Sequence, residues 1–350
     1  MTGPRSPAAS IAQRIDATVV HLIAPRKLEL RSDSLQTDAL GPTELLCETL
    51  VTAISPGTEI AAYTGLPPLR AGVAYPRLQG YCNVGRVLAA GSGVVDVRPG
   101  DRILTFTSHR SHFVIPREDV LVRLPVSVRS EDAACTYLFH LGYNAVIRSN
   151  VRAGSRVLVI GLGTLGLTSV AMAAVAGARV FAISDQPHAQ RLATQFGARQ
   201  VFSRADLQSL RSALTETLAD VVIATTNAWA DWEAALHLAG QQATLACLGF
   251  PGRGQAPPSF NPLDSQYFYA RQLRIESVGL SPERADGRGF VRFSERENLA
   301  YLLELIANGT LQPAAIVSGH YEGRRIEQAY EDLISRAGSP ITYLLRWNAE

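Results

Sequence analysis

The chain lacks any closely spaced pair of cysteines. Its four, Cys47, Cys82, Cys135 and Cys247, are scattered along 350 residues, so neither a zinc ribbon nor a disulfide scaffold is indicated. Scattered cysteines of this kind are usually small buried hydrophobes. No apolar run reaches the ~18 residues of a membrane span. Met1–Ser10 is rich in Pro, Ser and Ala without the apolar core of a signal peptide. Those absences point to the cytoplasm and to no membrane partner. No block of like charge stands out: 33 basic and 31 acidic residues leave a formal net charge of +2. With no basic patch interleaved with aromatics, no nucleic-acid partner is implied either. No internal repeat is visible. The length allows two domains.

What is present centres on Arg156–Gly166, RVLVIGLGTLG. A short, continuously apolar, β-branched run breaks into Gly161-Leu-Gly163-Thr-Leu-Gly166 and then into an Ala-rich helical segment. A buried strand, a glycine turn and a helix form the context in which G-x-G-x-x-G signals dinucleotide binding. Gly161 suits the tight turn, Gly163 lets backbone approach a pyrophosphate, and Gly166 lets the helix pack on the strand. The helix N-terminus adds unpaired N–H groups and partial positive charge.

Either side of residue 150 the patterning differs. Before it, short strands at Val19–Ile23, Leu28–Leu30, Glu44–Ile54, Gly85–Ala90 and Arg102–Thr107 are separated by turn signals, which predicts a compact β-rich unit. Residues 1–16 read as a disordered arm, Glu59–Tyr63 as one helical turn, and Ser130–Arg148 as a helix. His109 and His112 fall in a loop and read as solvated; Glu59 reads as structural, pairing with backbone. After residue 150, strands and helices alternate from Arg156 to Leu273–Gly279, which requires a parallel sheet covered on both faces. A helix from Ser294 to Asn308 and a β/α tail follow.

This order resembles the medium-chain dehydrogenase/reductase family over about residues 17–350. Gly80-Tyr-Cys-Asn-Val-Gly85 with Arg86-Val87 is similar to its G-H-E-x-x-G-x-V element, and Arg98-Pro-Gly-Asp-Arg-Ile103 to its x-x-G-D-R-V turn. The resemblance implies an α/β fold, with a GroES-like β-rich catalytic domain (17–145 and 283–350) and a Rossmann doubly wound parallel sheet (146–282). It also implies a cleft between them, a small-molecule substrate, and a homodimer joined through Leu273–Gly279.

The departures are chemical. Where zinc alcohol dehydrogenases hold their metal, the aligned places fall on Pro56, Tyr81 and the neighbourhood of Tyr137. Proline cannot ligate a metal and neutral tyrosine is a poor zinc ligand, so no zinc is expected. Ser55-Pro-Gly-Thr-Glu59 with Gly80-Tyr81 resembles a zinc-lacking branch that includes the bacteriochlorophyllide dehydrogenases. Tyr63 stands where a quinone-reductase arginine would be. Thr58 matches the hydroxyl of the family's proton relay, but the relay histidine falls near Ala61. Without a Lewis acid, hydride transfer needs a hydrogen-bond donor or a self-activating substrate such as a conjugated C=C–C=O group. The candidate catalytic residues are Tyr81, Thr58, Tyr137 and His140, the last as an acid. An enone or enoyl reductase is favoured. A metal-free carbonyl reductase or alcohol dehydrogenase and an inactive nucleotide-binding protein remain alternatives.

The candidate coenzyme contacts are Gly161, Gly163, Thr164, Leu165 and Gly166, then Ser184, Asp185 and Arg191, then Thr225 and Gly249. In the family, an acidic side chain ending the second Rossmann strand selects NAD through the ribose 2′-OH. Here Ser184 aligns with it and Asp185 follows. With Arg191, Arg199 and Arg204 as phosphate-binding candidates, NADPH is favoured over NADH.

Overall fold

A computed structural model describes residues 14–66 and 75–348. Residues 1–13 of the expected N-terminal arm lie outside the described residues; Arg14–Asp16, expected to be disordered with them, belong to the first strand. β1 (Arg14–Ala24) and β2 (Lys27–Gln36) form an antiparallel hairpin, and β3 (Glu44–Ala53) is buried along nearly all its length. α1 (Pro56–Tyr63) starts with proline at its first position, where the missing N–H would have had no helical partner. That proline lets the helix begin earlier than the single turn expected. β4 (Arg77–Leu78), β5 (Cys82–Ala90), β6 (Arg102–Thr105), β7 (His112–Pro116) and β8 (Val122–Arg123) follow. The stretch read as one helix is two, α2 (Ser130–Ala134) and α3 (Thr136–Arg148), meeting at Cys135.

From β9 (Arg156–Ile160) the alternation predicted from the sequence takes over. α4 (Thr164–Val175), β10 (Arg179–Ile183), α5 (Pro187–Gln195), β11 (Gln200–Phe202), α6 (Leu207–Leu214), β12 (Ala219–Ala224), α7 (Trp229–Leu238) and β13 (Ala239–Cys247) come in turn. A Pro/Gly-rich loop carrying α8 (Phe268–Arg271) then leads to β14 (Arg274–Ser277). These strands pair in parallel in the order β11-β10-β9-β12-β13-β14. Counted along the chain that is 3-2-1-4-5-6, the dinucleotide-binding arrangement. The order reverses between β9 and β12, so a crevice opens at their carboxyl ends, where Gly161 and Thr225 lie.

α9 (Glu295–Ala307) begins at a capping box in which Ser294 and Glu297 bond each other's backbone. β15 (Val317–Glu322), α10 (Ile326–Ser335) and β16 (Thr342–Arg346) end the described chain. β16 pairs antiparallel with β3, so both ends of the chain share the sheet β15-β16-β3-β5-β6-β8, with β7 also on β3. Among the described residues no helix is long and apolar enough to cross a membrane.

Candidate active site

The glycine turn separates what the fold needs from what a ligand would need. Gly161 has φ +90°, and a Cβ there would meet Thr226 Cγ2 at 2.3 Å. A Cβ on Gly166 would fall 1.8 Å from the Gly161 carbonyl oxygen. Gly163, the N-cap of α4, is different: a Cβ would meet nothing within 4 Å. It borders open space at the positive end of a helix whose first N–H groups, those of Thr164, Leu165 and Gly166 among them, have no helical partner. The side chains of Thr164 and Thr225 are used by the fold. Thr164 Oγ1 donates to Ile341 O at 3.0 Å, and Thr225 Oγ1 lies 2.9 and 3.0 Å from the carbonyl oxygens of Ile160 and Gly161. Gly249 passes so close to Thr225 that a Cβ would meet its carbonyl carbon at 2.5 Å. The turn fits a dinucleotide phosphate: room beside Gly163, donors facing it, and its shape held from behind.

Ser184 and Asp185 lie just past β10. Asp185 is turned to Arg204, accepting from its backbone N–H and its guanidinium at 2.8 Å each. Those bonds hold the Asp185 carboxyl below its ordinary range. Ser184 is buried, and its Oγ accepts from Gln186 N at 3.2 Å. Arg204 also forks onto Asp231 at 2.8 Å. Of the three arginine candidates it is therefore committed to carboxylates, whereas Arg191 and Arg199 are exposed.

The candidate catalytic residues divide. Tyr81 donates to Ser55 Oγ and also bonds Thr58. Ser55, the N-cap of α1, makes no side-chain cap on that helix. Tyr137 packs edge-on against Tyr81, with centroids 5.6 Å apart, and against Phe106 at 4.8 Å. Burial raises both phenols' pKa values well above the ordinary tyrosine range, so both stay protonated donors. His140 departs from its expected role as an acid. It is fully buried on α3, 5.2 Å from the Tyr137 ring, and burial lowers its pKa to about 4, leaving the ring neutral at pH 7. Its Nε2 faces Asn298 Nδ2 at 3.3 Å. Tyr63 is buried and donates to Glu331 at 2.9 Å, away from this group.

Two residues were misplaced by the sequence reading and one was missed. His109 is not solvated: it is fully buried, with Nε2 2.8 Å from Glu59 Oε2 and Nδ1 2.7 Å from Thr52 Oγ1. His112 lies in β7 rather than in a loop, half-buried. Glu59 bonds backbone as expected, taking Ser55 N at 2.7 Å, and also accepts from Tyr330 at 2.6 Å. A Cβ on Gly80, the residue before Tyr81, would meet the His109 ring at 2.5 Å. This network therefore forms the wall behind Tyr81, and a glycine beside a candidate tyrosine was the one sequence signal for it. The missed residue is Glu295, buried at the start of α9 and bonded to Tyr137. Burial raises its pKa to about 7.

A zinc ion does not fit these donors. The residues that the family resemblance sets against the zinc ligands are Pro56, Tyr81, whose phenol is engaged with Ser55, and the neighbourhood of Tyr137, whose phenol is engaged with Glu295. Among the described residues no three His, Cys, Asp or Glu side chains come together as a metal site.

Residues 164–296 match the family described as zinc-binding dehydrogenase. Sorbitol dehydrogenase of Bacillus subtilis (strain 168) is 23% identical over 282 residues, 71% of this chain and 78% of that protein. The crystal structure of L-idonate 5-dehydrogenase from Escherichia coli superposes with a TM-score of 0.79 at 13% identity, covering 96% of this chain and 100% of that one. A zinc-binding dehydrogenase from Sinorhizobium meliloti 1021, bound to NADP, superposes with a TM-score of 0.76 at 21% identity, over 95% and 99%. This is the medium-chain dehydrogenase/reductase fold. Within that fold, Gly163 lies at the carboxyl end of the parallel sheet, and the Tyr81–Tyr137 pair belongs to the elements before it.

Proposed function

We propose that the protein is an NAD(P)H-dependent oxidoreductase that works without zinc and delivers hydride to the activated C=C of an enone or enoyl group in a small organic substrate. The observation that carries this reading is the packed pair of protonated phenols, Tyr81 and Tyr137, which the family resemblance sets at or near the positions of the zinc ligands. The coenzyme, bound at Gly163, supplies the hydride. A conjugated substrate carries its own electron sink, so the protein need only stabilise the developing oxyanion, and a phenol donor does that. Thr58 and Ser55 hold the Tyr81 phenol, which supports a positioning role for both. Ser184 at the selecting place, with Asp185 committed to Arg204, supports NADPH over NADH.

A second reading, metal-free reduction of a carbonyl, uses the same donors and draws support from similar proteins named sorbitol dehydrogenase and L-idonate 5-dehydrogenase. The separate sheets support a division into a catalytic unit (17–145, 283–350) and a coenzyme unit (146–282). The exposed edge strand β14, with Ile275 42% exposed, supports pairing with a second copy. NADPH oxidation against a panel of enones and ketones tests the reading. Turnover of enones that falls in Tyr81→Phe supports it; turnover of ketones alone selects the second reading; coenzyme binding with no turnover of either contradicts both.

A further inference from the structure

We propose that Glu295 serves Tyr137 as a proton reservoir: its buried carboxyl passes a proton to the phenol oxygen as Tyr137 gives its own to the reduced substrate. The inference rests on the hydride-transfer reading. Glu295 is 6% exposed at the first turn of α9, next to the N-cap Ser294. An acidic side chain at a helix N-terminus ordinarily stays in water and complements the macrodipole. This one is turned into the protein against the Tyr137 phenol, whose ring also meets Tyr81, Phe106 and His140.

The surroundings leave the carboxyl with little compensation. On its own helix, Glu297 is committed to the Ser294 cap, and Arg296 bonds the carbonyl oxygens of Val120 and Glu118. From the loop before α9, Glu283 opposes ionisation; Arg296 and the Tyr137 hydrogen bond favour it. From α3, His140 is neutral. From β5 and the residue before it, Cys82 and Tyr81 are un-ionised. Burial outweighs the rest and brings the titration to about 7.

Protonation then decides what Tyr137 can do. With Glu295 ionised, the phenol O–H is tied to the carboxylate. With Glu295 protonated, the carboxyl O–H can donate to the phenol oxygen and the phenol O–H is free for the substrate. After hydride has added at the β carbon, the C=C pair sits on the α carbon and carbonyl oxygen as an enolate. The Tyr137 O–H bond breaks, a C–H bond forms at the α carbon, and the Glu295 proton moves to the phenol oxygen. The products are saturated substrate, neutral Tyr137 and ionised Glu295, which solvent reprotonates. Glu295 acts through Tyr137, so its role is positioning and supply.

The test combines a carboxyl titration by ¹³C NMR of the coenzyme-free protein with kcat/KM against pH. One carboxyl should titrate near pH 7, vanish in Glu295→Gln, and move upward in Tyr137→Phe, which removes the hydrogen bond that favours ionisation. Wild-type kcat/KM should fall about tenfold per pH unit above that titration, and the break should be absent from the lower, flatter profile of Glu295→Gln. No carboxyl titrating between about pH 6 and 8, or an unchanged break in Glu295→Gln, would overturn the proposal. Absence of turnover with every acceptor would instead overturn the hydride reading and the catalytic role with it; the NMR titration would still show whether the buried pair exists.

Discussion

Gly163→Ala separates folding from coenzyme binding. The residue sits at φ −74°, ψ −166°, backbone that alanine adopts without strain, and the added methyl meets nothing within 4 Å. The coenzyme-free variant should therefore unfold within ~0.5 kcal/mol of wild type, as expected of a substitution that disturbs no contact. The open space it fills is the place a pyrophosphate must approach, so NADPH affinity should drop at least about tenfold, or ~1.4 kcal/mol. Gly166→Ala is the contrast. Its methyl would lie 1.8 Å from the Gly161 carbonyl oxygen, a contact with backbone that cannot swing away. Overpacking of that kind costs ~1–3 kcal/mol or more. Urea unfolding of both coenzyme-free variants, with fluorescence titration by NADPH, reads the two effects apart. Wild-type NADPH affinity in Gly163→Ala, or equal destabilisation by both substitutions, would refute the geometry assigned to this turn.

Other outcomes follow from the same contacts. Tyr81→Phe should lower turnover by about 10–1000-fold, the range for losing one oxyanion donor, with Thr58→Val changing it in the same direction; steady-state kinetics with wild-type rates in both would remove these residues from the site. Tyr330→Phe leaves buried Glu59 with one donor fewer, and should cost ~1–3 kcal/mol in urea unfolding, the usual penalty for a lost bond to a charged group. Direct titration should show NADPH binding more tightly than NADH; a tenfold preference for NADH, reversed by Asp185→Ser, would show that Asp185 reads the ribose despite Arg204.

The glycine turn was legible because it is local: an apolar β-branched strand, three glycines and a helix identify themselves within a dozen or so residues. β9 runs over Arg156–Ile160 as its composition predicts. The helix after it and the capped α9 were legible for the same reason. His109 was not, because its surroundings in the sequence are Thr, Ser and Arg, and its burial depends on Glu59, 50 positions away, and Thr52, 57 away. Glu295 reads locally as an ordinary first-turn acid, and only the packing of α9 on α3 turns it toward Tyr137. The break at Cys135 was equally hidden, since Ser130–Arg148 carries no proline or early glycine to mark it. The glycine turn was thus written in local sequence, while the support behind Tyr81 and Tyr137 came from tertiary contacts.

The central claim is hydride transfer without a metal, and isotope transfer by metal-depleted protein tests it most directly. Protein treated with chelator, shown by elemental analysis to be free of zinc, should move deuterium from the C4 position of labelled NADPH to the β carbon of an enone at the rate of untreated protein. Activity that disappears with the metal and returns on binding one zinc per chain would contradict the claim.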